Sequence, residues 1–361
     1  MKISVPKEIK NHEYRVGLVP NSVAELTRAG HEVFVETQAG AAIGFDDADY
    51  RAAGAQVLSS AAAVFGCAEL IVKVKEPQLH ECALLQPHQT IFTYLHLAAD
   101  KTQALALMRS KATCIAYETV TEQQGGLPLL RPMSEVAGRI AVHVGATYLH
   151  NAYGGRGVLL GGVPGVAPAN VVILGGGVAG INAAQMAVGL HADVTLFDIN
   201  AHRLVHINQL FNGRVKTAYN SAAALAEAIK SADLVIGAVL IPGAAAPKLI
   251  SRAQLKTMQP GAVLVDIAID QGGCFETSHA TTHEDPIFIL ENIIHYCVAN
   301  MPGAVARTST LALNNATLPF VLKMANGGIL QALSADIHLA AGLNVADGKI
   351  IHPAVARALN L

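Results

Sequence analysis

The chain has 361 residues, room for about two domains at ~150 residues each. It is 52% apolar and only 14% charged, enough for two large cores, which excludes wholesale disorder. Lys+Arg 25 against Asp+Glu 27 leaves a net charge of −2, so no basic surface points to nucleic acid as a partner.

Short β-branched runs alternate with glycine or polar breaks and Ala/Leu-rich stretches, the pattern of parallel sheets with crossover helices. The first series predicts strands at 2–5, 31–36, 70–75, 90–96 and 113–120, with helices at 22–29, 60–67 and 101–110. The pattern breaks at Gly125-Gly126-Leu-Pro128, a candidate linker, and a helix over 134–150 follows with Ser134 as its N-cap. The second series predicts strands at 171–174, 193–197, 215–218, 234–239 and 262–267 and helices at 178–190, 202–211, 221–231 and 246–258. The tail, 308–361, reads as helical, without strands of its own, returning to the first domain. Expected boundaries are 1–128 with 305–361 for a substrate domain and 129–304 for a dinucleotide-binding domain. The fold class is α/β: two doubly wound, Rossmann-like domains with parallel sheets flanking a cleft.

No Asp, Glu, Lys or Arg occurs between Arg156 and Asp193, and ~20 apolar residues suffice to span a bilayer. Gly161-Gly162, Pro164, Pro168 and Gly175-Gly176-Gly177 interrupt that stretch, which fits a buried strand entering a turn and argues against a membrane partner. The five cysteines are scattered, odd in number and form no C-x-x-C, so a reducing, cytoplasmic setting is expected rather than a disulfide framework or zinc knuckle. The start, Met1-Lys-Ile-Ser-Val-Pro-Lys-Glu, meets charge too early for a signal peptide.

Asn170-Val-Val-Ile-Leu-Gly175-Gly-Gly177-Val-Ala-Gly180 carries G-x-G-x-x-G after an apolar strand and at the start of a helix. Gly175 permits a tight turn, Gly177 lets the backbone approach a pyrophosphate, and Gly180 permits close helix packing. The pyrophosphate belongs at the helix N-terminus, beside Val178 and Ala179, where free N–H groups favour an anion. Asp198 closes the next strand, 18 residues after Gly180, where an acid accepts the ribose hydroxyls and repels a 2′-phosphate. The cofactor expected is therefore NAD, with Arg203 as the nearby residue that serves a phosphate in NADP enzymes.

Lys75, His96 and Glu118 fall at the ends of three successive predicted strands, 21 and 22 residues apart. Parallel strands in register bring such ends to one edge, where ligands bind, and Arg15 enters that edge from the loop after the first strand. Individually these are ordinary loop charges and a core histidine; jointly they bring cations, an imidazole and a carboxylate together without a metal. Asp270 closes the last predicted strand of the second series ahead of Gly272-Gly273, where a nicotinamide would lie, or serves only the turn. The fifteen histidines show no metal-ligand spacing, and no metal is expected.

Several runs are similar to those of the alanine dehydrogenase family and its relative, the soluble NAD-binding part of proton-translocating transhydrogenase. They are Pro6-Lys-Glu-Ile-Lys-Asn-His-Glu-Tyr-Arg-Val-Gly17, Val72-Lys-Val-Lys-Glu-Pro77, Phe92-Thr-Tyr-Leu-His-Leu97 and Pro132-Met-Ser-Glu-Val-Ala-Gly-Arg139. Asp266-Ile-Ala-Ile-Asp-Gln-Gly-Gly273, Cys297-Val-Ala-Asn-Met-Pro-Gly303 and Asn315-Ala-Thr-Leu-Pro319 continue the likeness along nearly the whole chain.

The resemblance implies reversible NAD-dependent oxidative deamination of L-alanine to pyruvate and ammonium. In this reading Arg15 and Lys75 hold the substrate, Glu118 supports the lysine, His96 is the general acid/base and Asp270 assists beside the nicotinamide. Tyr94, Met133, Ser134, Asn300 and Met301 line the pocket, Ser134 and Met301 on its cofactor side. Val239, Leu240, Ile267 and Val298 contact the cofactor. Asn220 stands where relatives carry a serine, on the adenosine side, and Asn314 where a tail motif often reads threonine. The resemblance also implies a homo-oligomer, usually a hexamer. A transhydrogenase subunit and a non-catalytic NAD(H) sensor are the alternatives. The Lys75, His96 and Asp270 set argues against the sensor, which needs none of them.

Overall fold

A computed structural model describes residues 1–239 and 246–361. The chain divides into two compact units, Met1–Met133 with Val305–Leu361, and Ser134–Ala304; the boundary falls inside the helix Arg131–Tyr148.

The first unit begins with β1 (Lys2–Val5), β2 (Glu32–Glu36), β3 (Gln56–Leu58), β4 (Leu70–Val72), β5 (Thr90–Thr93) and β6 (Thr113–Ala116). These strands are parallel and lie in the spatial order β3-β2-β1-β4-β5-β6, so the winding reverses between β1 and β4. The second unit repeats the plan with β7 (Asn170–Leu174), β8 (Asp193–Asp198), β9 (Val215–Tyr219), β10 (Leu234–Gly237), β11 (Val263–Asp266), β12 (Ile287–Leu290) and β13 (Ile293–Tyr296). Its order is β9-β8-β7-β10-β11-β13-β12, parallel except for the β12–β13 hairpin, and the winding reverses between β7 and β10. In doubly wound sheets, ligands bind beyond the carboxyl ends of the strands at such a reversal.

Successive side chains of each strand enter different cores, which explains the near-continuous apolar runs. Ile3, Val33, Leu70, Val72 and Phe92 pack on one face of the first sheet, and Ile71, Ile91, Cys114 and Ala116 on the other. In the second unit Val171 and Ile173 oppose Val172 and Leu174 in the same way.

The tail departs from the expected all-helical reading. The long helix Ala306–Gly327 does pack in the first unit, where Asn314 accepts from the Val19 amide and the Ser22 hydroxyl and donates to the Gly17 carbonyl. Beyond it, β14 (Leu343–Ala346) pairs antiparallel with β6, and β15 (Lys349–Ile350) antiparallel with β14, extending the first sheet. They are only four and two residues long, too short to show a period.

Helix 246–258 shrinks to the single turn Arg252–Leu255, where Ser251 caps and competes with any earlier start. Ser134 is not an N-cap but lies one turn inside the helix Arg131–Tyr148. The strands expected to reach Lys75, His96 and Glu118 end two or three residues earlier, and β3, β12 and β13 went unanticipated.

Candidate active site

In the first unit, Val72 pairs with Phe92, and Phe92 with Ile115, so β4, β5 and β6 end together. Lys75, His96 and Glu118 follow in the three adjacent loops. The Thr93 hydroxyl donates to the Lys75 carbonyl at 2.9 Å and the Tyr94 amide to the Val74 carbonyl at 3.2 Å, tying the first two loops together.

Arg15 comes from the loop after β1, on the other side of the reversal. The chain can lie against the end of β4 because Gly17 has no Cβ, which would run into the Val72 carbonyl. Only 2% of Arg15 is exposed. Its Nε and Nη2 donate to both carboxylate oxygens of Glu13 at 2.7 and 2.5 Å, and Nη1 reaches the sulfur of Met133 at 3.0 Å. Burial works against both charges, but the bidentate pair overcomes it: Glu13 is held below the usual carboxylate range and Arg15 above its ordinary value. The charge of Lys75 also lowers Glu13, placing that ammonium in the same electrostatic neighbourhood.

Tyr94 is buried, donates its hydroxyl to the Leu129 carbonyl, and stacks on His96 with ring centroids 5.8 Å apart and planes 9° from parallel. His96 itself is exposed and sits at φ +51°, left-handed backbone that a histidine seldom adopts. Glu118 holds that turn. Its carboxylate accepts from the His96 amide at 2.6 Å and from the Leu95 amide at 3.2 Å. The carboxylate expected to support Lys75 fixes instead the backbone that carries the imidazole.

In the second unit, β7 runs into Gly175 at φ +101°, and the helix Val178–Gly189 starts after Gly177. The first turn has no side-chain cap. A Cβ at Gly177 would meet nothing within 4 Å, whereas one at Gly180 would collide with the Gly175 carbonyl. Exposed Val178 and half-buried Ala179 open the helix beside this turn. An uncapped helix start against an open glycine fits a dinucleotide pyrophosphate.

Asp198, at the end of β8, accepts from the Gly176 amide at 2.7 Å and the Asn200 amide at 2.8 Å, so it also clamps the turn. A Cβ on Gly176 would lie 2.9 Å from the Arg203 stem, which places that exposed arginine beside Asp198. The Asn220 amide donates to the Asp198 carbonyl. Val239 lies across the reversal, 3.1 Å from where a Gly175 Cβ would stand; Leu240 falls outside the described residues.

Asp270 is not at a strand end: β11 stops at Asp266, and Ile267–Gln271 is a 3-10 turn that exposes Asp270 and half-buries Ile267. Asp266 is structural, accepting from the Ala268 and Cys274 amides and the Ser278 hydroxyl, and burial raises its pKa. Val298 and Met301 are buried in the second unit's core, Ser134 is half-buried, and Asn300 at φ +61° turns the chain between them, its carbonyl 3.3 Å from His283 Nε2.

Sequence reasoning missed the carboxylates behind the cations. Besides Glu13, the fully buried Lys73 pairs with Glu8 at 3.2 Å and Glu81 at 3.0 Å, and Glu8 reaches the loop that carries Lys75. Glu8 and Glu13 both lie within Pro6–Gly17; nothing in that run distinguishes them from solvated loop acids. Among the described residues no group of three His, Cys, Asp or Glu is placed to hold a metal.

Two sheets that share the strand order 3-2-1-4-5, one carrying a dinucleotide turn and the other a polar set at its reversal, define a nicotinamide-nucleotide oxidoreductase class. Residues 4–137 match the family Alanine dehydrogenase/PNT, N-terminal domain, and residues 141–353 its C-terminal domain. The chain belongs to this family. It is 59% identical to alanine dehydrogenase of Halomonas elongata and 56% identical to that of Mycolicibacterium smegmatis, covering all of this chain and 97% of each relative. A solved L-alanine dehydrogenase structure superposes with a TM-score of 0.97 at 54% identity, covering 100% of this chain and 99% of that one. The transhydrogenase of Sinorhizobium meliloti follows the same fold, with a TM-score of 0.83 at 26% identity over 98% of this chain and 100% of that one.

Proposed function

We propose that the protein is an L-alanine dehydrogenase that interconverts L-alanine with pyruvate and ammonium. The observation that carries this reading is the set of three in-register loops holding Lys75, His96 and Glu118 beside the buried Arg15–Glu13 pair.

The first unit serves as the substrate domain and the second as the nucleotide domain. Gly175, Gly177 and the amides of Val178 and Ala179 hold the pyrophosphate, and Asp198 accepts the ribose hydroxyls, which favours NAD over NADP. The bound nicotinamide supplies hydride acceptance and donation. Arg15, oriented by Glu13, pairs with the substrate carboxylate. Lys75 polarises the carbonyl oxygen of pyruvate. His96 takes a proton from water adding to the iminium carbon of the oxidised substrate and returns one to the departing amine. Asp270 and Asn300 are assigned to the nicotinamide and substrate sides of the second unit.

We assign the protein to the cytoplasm, in keeping with five free cysteines and with no helix, among the described residues, long and apolar enough to cross a membrane. A homo-oligomer, hexameric as the resemblance implies, completes the reading.

The test is NADH oxidation with pyruvate, with and without ammonium. Ammonium-dependent turnover is expected. NADH binding without turnover, or turnover that needs a second nucleotide and a partner, refutes the assignment.

A further inference from the structure

Lys75 stands just past the point where β1 stops running alongside β4. β1 pairs with β4 only through Ile3–Leu70 and Ser4–Ile71. Continuing that register would set Pro6 to Glu8 against Lys73 to Lys75, but β1 ends at Val5 and its chain leaves the sheet. The amides of Val74 and Lys75 on that side therefore face no strand. Leaving such donors without an acceptor in a buried setting costs ~1–3 kcal/mol each.

The Glu8 carboxylate fills the gap. One oxygen accepts from the Val74 amide at 2.7 Å and the Lys75 amide at 3.3 Å. Its other oxygen meets the Lys73 ammonium at 3.2 Å, and Glu81 meets the same ammonium at 3.0 Å. Lys73 is 0% exposed and Glu8 is buried, so neither charge can be neutralised by water. An ion pair this deep adds little stability over apolar residues, because desolvation cancels most of the attraction. What it supplies is a carboxylate that cannot swing away from the two amides. On the opposite side the Thr93 hydroxyl holds the Lys75 carbonyl. The Lys75 backbone is thus held on the β5 side by the Thr93 hydroxyl and the Tyr94–Val74 ladder bond, and on the β1 side by the Glu8 carboxylate in place of a strand. Glu118 does the same for the adjacent Leu95–His96 peptide.

We propose that Glu8, fixed by Lys73, is a positioning residue for Lys75: it substitutes for the missing strand at the Val74 and Lys75 amides and so sets the place of the lysine that holds the 2-oxo acid. The inference rests on the proposed substrate role of Lys75. Glu81 shares Lys73 but touches neither amide; its second oxygen accepts from the Gln78 amide.

The experiment is a double-mutant cycle of Glu8→Asp with Lys75→Ala in the full-length enzyme. It reads pyruvate KM, kcat, NADH affinity by fluorescence, and melting temperature. Glu8→Asp keeps the charge beside Lys73 but withdraws the carboxylate by one methylene. Its pyruvate KM is expected to rise ~10-fold or more, as for small misplacements of a substrate-orienting group. NADH affinity should stay within about twofold. In the Lys75→Ala background the same change should move pyruvate KM less than about twofold, since coupled residues are non-additive. A wild-type KM for Glu8→Asp, or the same rise with and without Lys75, overturns the positioning role. Should Lys75→Ala alone leave KM unchanged, the substrate reading of Lys75 fails and this role with it. Where Glu8→Asp does not fold, Glu8→Gln takes its place in the cycle: its amide nitrogen meets the Lys73 ammonium donor to donor, so its oxygen is no longer held at the two amides. Pyruvate KM is then expected to rise ~10-fold with Lys75 present and less than about twofold in Lys75→Ala, and a wild-type KM overturns the proposal.

Discussion

The two units share the order of their first five strands yet build their working edges from different materials. In the first, the proposed chemistry falls to side chains, and carboxylates hold them: Glu13 grips Arg15, Glu8 grips the Lys75 peptide, and Glu118 grips the His96 turn. In the second, the proposed binding surface is backbone, and one carboxylate, Asp198, closes the turn. Their interiors differ accordingly. The first unit buries Lys73 with two carboxylates, Glu8 and Glu81, which raise its ammonium pKa against the pull of burial. The second buries His295 as a neutral ring between Thr277 and the Ile293 carbonyl, stacked on Phe288, with burial lowering its pKa to about 4. A pocket that must orient a small charged acid needs fixed charges; a turn that wraps a pyrophosphate needs only amides and room.

The sharpest way to break this comparison is His96→Ala. If the first unit's side chains do the chemistry, kcat falls by ~100-fold or more while NADH affinity, read by fluorescence titration, is unchanged. Retained turnover would remove the imidazole from the reaction. A smaller effect separates the interiors by pH. His295 titrates at about 4 when folded against an ordinary 6.5, so between those values the unfolded chain binds a proton that the folded chain refuses. Stability is therefore lost as pH falls below 6.5, by about 2 kcal/mol at pH 5 for this residue. Urea unfolding at pH 7 and 5 should show a flatter pH dependence for His295→Gln than for wild type; parallel slopes would contradict a neutral buried ring. The smallest effect is Asp198→Ala, expected to weaken NADH binding about 10-fold through loss of charged hydrogen bonds and to narrow the gap to NADPH. An unchanged NADH titration would leave the second unit's binding to the backbone alone.

Legibility followed the same division. The glycine turn was readable because a positive φ and a backbone collision admit almost no other residue, so Gly175 and Gly180 announce their geometry. Lys75, His96 and Glu118 were readable through their spacing, because one strand-plus-helix period returns the chain to one edge. The clamps were not. Glu8 and Glu13 act through burial and through partners tens of residues away or on a turning loop, and no local pattern separates them from solvated acids. Short edge strands escaped for a related reason: β14 and β15 exist because β6 offers them an open edge, not because their own residues alternate. Asp270 was expected at a strand end, but Asp266 caps a turn that ends β11 four residues earlier.

The return of β14 to β6 has a consequence for how the protein is made. At the ribosome, residues up to Met133 emerge with Gly17, Val19 and the outer edge of β6 still lacking Asn314 and β14. Synthesis of the remainder takes roughly ten to fifty seconds at ordinary elongation rates. The nucleotide unit, uninterrupted in sequence, can mature during that interval, whereas its neighbour must wait as an unfinished nascent chain. Chaperone demand during biogenesis should therefore concentrate on the first-made third of the polypeptide.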